Sequence, residues 1–289
     1  MNQNKPVAIG IGEFLWDVLP EGKRAGGAPV NFAYHASQNG AEGWAVSAVG
    51  HDILGDELLE VSRQHGINLL VSENDYPTGT VQVHLKDGIP SYEICENVAW
   101  DHIRLTDKAL EKAKSAKAIC FGSLAQRCQE SREATAALLN AAGEDAYKVY
   151  DINLRGSFWS KEIIENSLEM SNVLKINDEE LEIIKPLLGL EGLDTDEACR
   201  ELLSKYKQKM VVLTGGSVFS AIYCQDGTIS KLDTPKVKVV DTVGAGDAFC
   251  GTLVASLLCG KSIAHAHRDA VQRAAYVCTQ SGAWTPISQ

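Results

Sequence analysis

The residues with the clearest chemical potential lie in the stretch 241–249, where a Gly-Ala-Gly turn opens an apolar helix. The first amide groups of a helix lack acceptors within the helix, and the helix dipole is positive there, so this turn can bind an anion. Asp247 falls in the first turn, where a carboxylate does not help to bind an anion but can accept a proton from an attacking hydroxyl group. Taken alone, the stretch is also typical of a helix whose Asp247 only complements the dipole.

A second glycine cluster precedes another predicted helix. Gly26 and Gly27 allow a ligand to approach the backbone, and Pro29 suits the first turn of a helix. Asn31 follows, and its amide can both donate to and accept from sugar hydroxyl groups. A simple capping role for Asn31 is the alternative.

Composition limits the classes of partner. The chain has 289 residues and a formal net charge of −11, which argues against nucleic-acid and anionic-membrane surfaces. The eight cysteines form no Cys-x-x-Cys pair, which is typical of reduced thiols in a cytoplasmic protein rather than of a disulfide or zinc framework. No apolar run reaches the roughly 20 residues of a membrane span, and the N-terminus has no signal-peptide pattern.

The elements that must position these residues alternate between strand and helix. Strands are predicted over 7–12, 43–49, 67–71, 118–121, 149–152, 173–176 and 210–213. Helices are predicted over 29–38, 53–65, 132–142, 161–168, within 178–205, and over 245–259 and 262–280. Short apolar strands separated by helices indicate an α/β fold, with a doubly wound, mostly parallel sheet covered by helices on both faces.

One region departs from this alternation. Residues 78–96 alternate in polarity around an Asp-Gly turn, which predicts a hairpin, and 14–19 can add another strand. An antiparallel insertion made of segments 14–19 and 78–98 is a candidate lid that excludes water from a transfer reaction. A decorative hairpin or a homodimer contact through this insertion are the alternatives.

Two long motifs, more than two hundred residues apart, resemble the signatures of the ribokinase-like, or PfkB, sugar kinases. The first is Gly-Gly-Ala-Pro-Val-Asn-Phe-Ala over 26–33, followed by Gly40 and Gly50, and the second is Asp-Thr-Val-Gly-Ala-Gly-Asp over 241–247. The resemblance covers essentially the whole chain. It implies a single ribokinase-like domain over 1–289, with a small β-strand lid, that transfers the ATP γ-phosphoryl group to a sugar hydroxyl group.

The resemblance also implies roles for individual residues. Asp247 matches the catalytic base, and the amides of Gly244, Ala245 and Gly246 match the anion hole. The positions implied for ATP are Asn177, Thr214, Gly216 and Ser217. Asn177 and Glu180 match a pair that holds Mg²⁺ largely through water, although 177–180 by itself is typical of an acidic helix start. Asp241, Val243 and Gly282 match positions that offer oxygen atoms to a K⁺ ion in this family.

The acceptor side is similar to the fructokinase branch. The carry-over names Asp17, Gly26, Gly27, Asn31 and Arg155 as sugar-binding residues. The Glu13–Asp17 stretch, Trp100 and Asp-Ile-Asn-Leu-Arg over 151–155 resemble that branch. A surface ion pair is the alternative role for Arg155.

The predicted reaction is therefore ATP-dependent phosphorylation of fructose, and Asp247 is expected to have the low pKa of a carboxylate at a helix N-terminus. The alternatives are the same chemistry on ribose, a nucleoside or 2-keto-3-deoxygluconate, and a non-catalytic sugar-binding regulator.

Overall fold

The computed structural model describes residues 5–19, 22–86 and 89–287, with side chains described in these ranges except at 83–92. Nine strands form the main sheet, in the order β13-β12-β11-β10-β9-β8-β1-β4-β5. They are β1 (Val7–Ile11), β4 (Glu42–Gly50), β5 (Asn68–Asn74), β8 (Ala116–Phe121), β9 (Tyr147–Asp151), β10 (Val173–Asn177), β11 (Met210–Gly215), β12 (Phe219–Cys224) and β13 (Ile229–Asp233). The seven strands from β11 to β5 are parallel, whereas β12 and β13 are antiparallel at one edge.

Helices cover both faces of this sheet. They are α1 (Ala28–Gln38), α2 (Ile53–Gln64), α3 (Asp107–Ser115), α4 (Gln129–Ala141), α5 (Lys161–Met170), α6 (Asp178–Leu188), α7 (Thr195–Lys205), α8 (Ala245–Leu258) and α9 (Ile263–Cys278). Helices α1, α2, α8 and α9 pack on one face, and α3 to α7 pack on the other. The predicted doubly wound α/β fold is thus confirmed.

Strand alternation explains why both faces are apolar. Successive side chains of a strand point to opposite faces, so a strand buried on both sides must be apolar throughout. In β1, Ile9 joins the core under α3 to α7 while Ala8 joins the core under α1, α8 and α9. The small side chain of Ala8 and the absence of one at Gly10 let α1 approach closely, because a Cβ at Gly10 would lie 2.1 Å from the carbonyl oxygen of Pro29.

A second, four-stranded sheet has the order β3-β2-β6-β7. Its strands are β2 (Leu15–Leu19), β3 (Gly22–Gly26), β6 (Gly79–Lys86) and β7 (Ile89–Ile94). Strands β2 and β6 are parallel and the other pairs are antiparallel. The predicted strand over 14–19 and hairpin over 78–96 are confirmed, although the Asp-Gly turn itself lies outside the described residues.

Every main-sheet strand and every helix predicted from the alternation is present, with ends shifted by a few residues. The sequence reading missed β3, β12, β13 and α3. Strand β3, Gly-Lys-Arg-Ala-Gly, is short and polar, so its own sequence does not indicate a strand. It is extended because it pairs with β2. Helix α3, Asp-Lys-Ala-Leu-Glu-Lys-Ala-Lys-Ser, buries only Ala109 and Ala113, so its apolar stripe is too thin to stand out.

The described residues also answer two expectations from composition. All eight cysteines are free thiols, with Cys120, Cys199 and Cys250 buried. Among the helices in the described ranges, none is long and apolar enough to cross a membrane.

Candidate active site

The predicted anion hole begins helix α8. Gly244 is its N-cap residue and has a φ of 76°, a conformation that residues with a Cβ adopt only with strain. A Cβ at Gly244 would also lie 2.5 Å from the Cβ of Ala283, so both the conformation and the space require glycine. The Ala245 amide donates to the Thr242 oxygen over 3.2 Å, and the amides of 246 and 247 follow in the first helical turn, whose dipole favours a negatively charged group.

Asp247 faces this turn and touches the second glycine motif. The Asn31 side chain donates from Nδ2 to Oδ2 of Asp247 over 2.8 Å, joining α1 to α8 across 216 residues of sequence. Burial raises the pKa of Asp247, against the hydrogen bond from Asn31 and the charges of Lys175 and Arg155, which lower it. The expectation of a low pKa at the helix N-terminus is therefore wrong, because loss of water around the carboxylate outweighs the favourable dipole and neighbours. A raised pKa makes Asp247 a better proton acceptor.

A buried ion pair lies beneath the anion hole, and sequence reasoning gave neither residue a role. Lys175 Nζ on β10 lies 2.9 Å from Oδ1 of Asp151 on β9. A Cβ at Gly246 would be 3.2 Å from the same Nζ, so the ammonium group lies directly against the first turn of α8. Burial alone would lower the pKa of Lys175, but Asp151 and Glu180 raise it, which keeps a positive charge under the turn. The signal available in the sequence was a lysine inside the largely apolar strand β10 and an aspartate at the end of β9.

The start of α1 depends on a carboxyl group from the β1–β2 connection. A Cβ at Gly27 would lie 2.2 Å from the backbone oxygen of Glu13, and the φ of Gly27 is 123°. The Glu13 side chain is buried and its Oε1 accepts from the amide of Ala28 over 3.2 Å, while Oε2 has no hydrogen-bond partner. Burial is the main cause that raises the pKa of Glu13 to about 7. In the sequence, Glu13 stands out only as part of the Glu13–Asp17 stretch.

The predicted sugar-binding carboxylate lies on the small sheet. Asp17 on β2 is opposite Arg24 on β3, and its Oδ2 would be 3.1 Å from a Cβ at Gly26. Burial, with a smaller contribution from Asp241, raises the pKa of Asp17 to about 6, and Arg24 and Arg155 oppose the shift. Asp17, Gly26 and the α8 turn therefore share one region.

Arg155 interacts electrostatically with the carboxyl groups of this region. Its side chain is exposed and donates from one guanidinium nitrogen to the backbone oxygen of Leu154 over 3.1 Å. Its positive charge lowers the pKa values of Glu13, Asp17 and Asp247. Its charge therefore acts on the three carboxyl groups of the site.

The pair predicted for Mg²⁺ forms a helix cap. Oδ1 of Asn177 accepts from the Glu180 amide over 2.7 Å, and Oε2 of Glu180 accepts from the Asn177 amide over 3.0 Å. Oε1 of Glu180 accepts from the Leu154 amide over 2.9 Å. Each oxygen retains one lone pair, which suits contact with coordinated water better than direct ligation. In the described part of the chain, no group of three or more His, Cys, Asp and Glu side chains could hold a metal ion.

The predicted nucleotide turn joins β11 to β12. Thr214 is the penultimate residue of β11 and is paired in register with Asn177, the last residue of β10, so these two positions are neighbours at one end of the parallel strands. Gly216 has a φ of 51°, and the Val218 amide donates to the Gly215 oxygen over 2.9 Å to close the turn around Ser217. The Phe219 ring lies against Gly215, where a Cβ would be 2.3 Å from the ring.

The positions predicted for K⁺ are arranged differently from that expectation. Oδ2 of Asp241 accepts from Arg24 over 2.8 Å and from the Gly282 amide over 3.1 Å. Oδ1 accepts from the Val243 amide over 3.0 Å. Val243 and Gly282 thus present N–H groups to Asp241, and a guanidinium group already supplies the positive charge. In this arrangement Asp241 does not fit a K⁺ site, because its oxygens already bind a guanidinium group and two amides.

Comparison with known proteins agrees with this geometry. Residues 21–289 match the pfkB family of carbohydrate kinases. A putative sugar kinase of Pyrococcus horikoshii is 26% identical over 275 residues, covering 86% of this chain and 81% of that protein. Probable fructokinase-2 of Arabidopsis thaliana is 29% identical over 285 residues, covering 90% and 84%. The crystal structure of the Vibrio cholerae fructokinase with bound fructose, ADP and calcium has a TM-score of 0.81 at 23% identity, covering 98% of this chain and 96% of that one.

Other relatives act on different acceptors by name. An ATP-dependent 6-phosphofructokinase of Thermoanaerobacterium thermosaccharolyticum and 5-dehydro-2-deoxygluconokinase 2 of Bacillus cereus are each 27% identical to this chain, which spans 74% and 77% of them.

The fold and the site together define a class of protein. A doubly wound sheet ends at a helix N-terminus with a carboxylate in its first turn, and a small sheet carries a second carboxylate toward it. This is the arrangement of an ATP-binding phosphotransferase that acts on an alcohol group. The chain belongs to the pfkB family of carbohydrate kinases and is a sugar kinase.

Proposed function

We propose that this protein is a fructokinase, which converts D-fructose and ATP into D-fructose 6-phosphate and ADP. The observation that carries the proposal is the junction of Asn31 and Asp247, which sets a raised-pKa carboxylate beside the anion-binding turn at Gly244. The sugar-facing residues Asp17 and Arg155 resemble the fructokinase branch, and two of the similar proteins described above are named fructokinases.

Asp247 acts as the general base in this proposal. As the primary hydroxyl oxygen of the sugar forms its bond to the γ-phosphorus, its proton passes to Asp247 and the bond from phosphorus to ADP breaks. The amides at the start of α8 donate to the oxygens of the moving phosphoryl group, and Lys175 adds a positive charge beneath the turn. Stabilisation of developing charge by fixed groups supplies most of the rate enhancement in such transfers.

The nucleotide and metal contacts are also proposals. Thr214, Gly216 and Ser217 form the turn that would receive ATP phosphates, next to Asn177. Magnesium neutralises phosphate charge when it is bound with ATP. Asn177 and Glu180 would hold it through coordinated water, using the lone pairs that the helix cap leaves free.

A panel of acceptors tests the proposal. ADP release is measured with fructose, ribose, glucose, adenosine, 2-keto-3-deoxygluconate and fructose 6-phosphate at equal ATP. Fructose should give the highest kcat/KM, and fructose 6-phosphate should be poor because residues 27–61 contain no Lys or Arg to receive a second phosphate. A tenfold preference for another sugar removes the fructose assignment and keeps the kinase. No ADP release with any acceptor favours the sugar-binding regulator.

A K⁺ requirement is not part of the proposal, because Arg24 occupies Asp241. Replacing K⁺ by tetramethylammonium should therefore leave the rate unchanged, and a dependence on K⁺ would show that Arg24 leaves Asp241. We also propose that the protein is cytoplasmic. We further propose a homodimer formed through the small sheet, and sedimentation of the wild-type protein tests whether it is a dimer.

A further inference from the structure

A tryptophan outside both sequence motifs joins the contact between Asn31 and Asp247. Nε1 of Trp284 donates to Oδ1 of Asn31 over 2.7 Å, while Nδ2 of Asn31 donates to Oδ2 of Asp247 over 2.8 Å. Three side chains from the C-terminal loop, α1 and α8 therefore form one chain of hydrogen bonds. Trp284 is not among the residues that the sequence predicts for the site.

The chemistry of the indole decides which way the Asn31 amide faces. An indole N–H can only donate, whereas an asparagine amide has a donor end and an acceptor end that can exchange places by rotation. Because Trp284 needs an acceptor, it fixes the oxygen of Asn31 toward itself and the nitrogen toward Asp247. In this orientation the amide nitrogen donates to the ionised carboxylate. In the opposite orientation the amide oxygen would face Asp247 and could be hydrogen-bonded only by a protonated carboxyl group.

The indole is held by contacts that do not depend on its N–H group. The ring lies near Tyr34, with centroids 6.5 Å apart, and edge-on to His65 at 5.3 Å. The loop around it is tied to the fold, since His35 hydrogen-bonds the Ala283 oxygen over 2.9 Å and Arg273 donates to the Thr285 oxygen. A phenylalanine at this position would keep one aromatic ring and lose the N–H group together with part of the ring volume, whereas benzothienylalanine would keep the fused shape and lose the N–H group alone.

We propose that Trp284 is a positioning residue for phosphoryl transfer, whose indole N–H orients the Asn31 amide so that Asp247 is kept as the ionised base. The proposal rests on the proposed role of Asp247. Asn31 can still hydrogen-bond a sugar in this arrangement. Its contacts with Trp284 and Asp247 use one of the two acceptor positions and one of the two donor hydrogens of its amide.

The effect is expected in the pH dependence of the reaction. The titratable groups near Asp247 are Lys175 on β10, Asp151 on β9, Cys120 on β8, Glu13 after β1 and Arg155 after β9. A change at Trp284 leaves all of these in place. Loss of the Asn31 donor removes an interaction that favours the charged form of Asp247, so its pKa rises and the acidic limb of kcat/KM moves to higher pH.

The test compares W284F with W44F. Trp44 also donates its indole N–H to a side chain, Glu42 over 2.8 Å, at the start of β4 and away from the site, so it is a matched control. W284F should shift the acidic limb upward by about one pH unit, with a loss of about tenfold below the limb and little loss above it. W44F should keep the wild-type profile. N31A should shift the limb at least as far as W284F, and W284F should add nothing in the N31A background.

A loss that is uniform across pH, or a W284F effect that adds to that of N31A, would show that Trp284 contributes packing only and overturn the proposal. If W284F does not fold, benzothienylalanine at position 284 keeps the shape of the indole without its N–H group and must give the same shift. D247N with more than a tenth of the wild-type rate would instead remove the base assignment itself, which separates that failure from a failure of Trp284 alone.

Discussion

At the scale of single residues, burial sets the chemistry of the carboxyl groups in this site. Glu13, Asp17 and Asp247 all have raised pKa values, and loss of water is the first cause in each case. Three cations, Arg24, Arg155 and Lys175, oppose these shifts without cancelling them. The site therefore contains carboxyl groups whose protonation changes nearer to neutral pH than that of exposed ones.

D247N should abolish turnover while leaving the affinities for ATP and sugar within a few-fold. The base acts in the transition state, and its loss costs about 10²–10⁴ in rate. Single-turnover rates and equilibrium titrations of both ligands measure the two effects separately. D269N is a suitable control, because Asp269 lies on α9 and bonds Ser256 and Lys261 instead. Residual activity above a tenth of the wild-type rate would contradict the assignment.

Sugar affinity should weaken as the pH falls through about 6. Asp17 is ionised above its raised pKa of about 6 and accepts from sugar hydroxyl groups, whereas the protonated form loses much of that capacity. The sugar dissociation constant, measured in D247N so that no turnover occurs, should be about tenfold larger at pH 5 than at pH 8. D17N should bind weakly with no such dependence. A flat profile in the protein with Asp17 intact would assign Asp17 a structural role.

At the scale of elements, the site is made where helix α8 meets the C-terminal loop. The turn before α8 needs a left-handed residue at Gly244, and the loop fills the space above it with Ala283. The helix itself is buried along most of its length, so its position is fixed by packing against α1 and α9. Small shifts at its N-terminus therefore displace the anion-binding amides directly.

G244A should destabilise the fold more than G260A. Both glycines flank α8 with positive φ, 76° and 81°, so alanine is strained at each by about 1–2 kcal/mol. Only at Gly244 would the new Cβ meet a neighbour, Ala283 at 2.5 Å, which adds roughly 1–3 kcal/mol of overpacking. Urea unfolding of the two variants measures the difference, and kcat should fall in G244A alone. Equal stability losses would show that the loop at Ala283 yields without cost.

At the scale of the whole molecule, the small sheet is joined to the main sheet through the site. Arg24 on β3 bonds Asp241 in the segment before α8, while Lys23 on the same strand pairs with Glu57 on α2. Trp16 on β2 donates to the Leu54 oxygen of α2 over 2.9 Å. The Arg24 contact joins the small sheet, on the predicted sugar side, to the segment that leads into the anion-binding turn.

R24Q should raise the sugar KM several-fold and leave thermal stability nearly unchanged. The Arg24 side chain is 40% exposed, so its ion pair contributes less than about 1 kcal/mol to folding. It nevertheless holds the small sheet over the site and favours the ionised form of Asp17. K23Q, with a comparable exposed pair on the same strand, should keep the wild-type KM. Equal effects of the two substitutions would show a general role of charge on β3 rather than closure by Arg24.

The sequence alone determined the seven parallel strands of the main sheet, every helix except α3, and the two glycine motifs. Strands such as Val7–Ile11 are apolar throughout, which predicts burial on both faces of the sheet. Gly27 and Gly244 have positive φ angles that favour glycine, so these positions can be recognised from the local sequence. Tertiary structure decided what depends on distant neighbours. Strand β3 exists because β2 pairs with it, the pKa of Asp247 is raised because surrounding segments exclude water, and Trp284 meets Asn31 across 253 residues of sequence. Desolvation and side-chain orientation arise only when separate segments pack together, so no local pattern contains them.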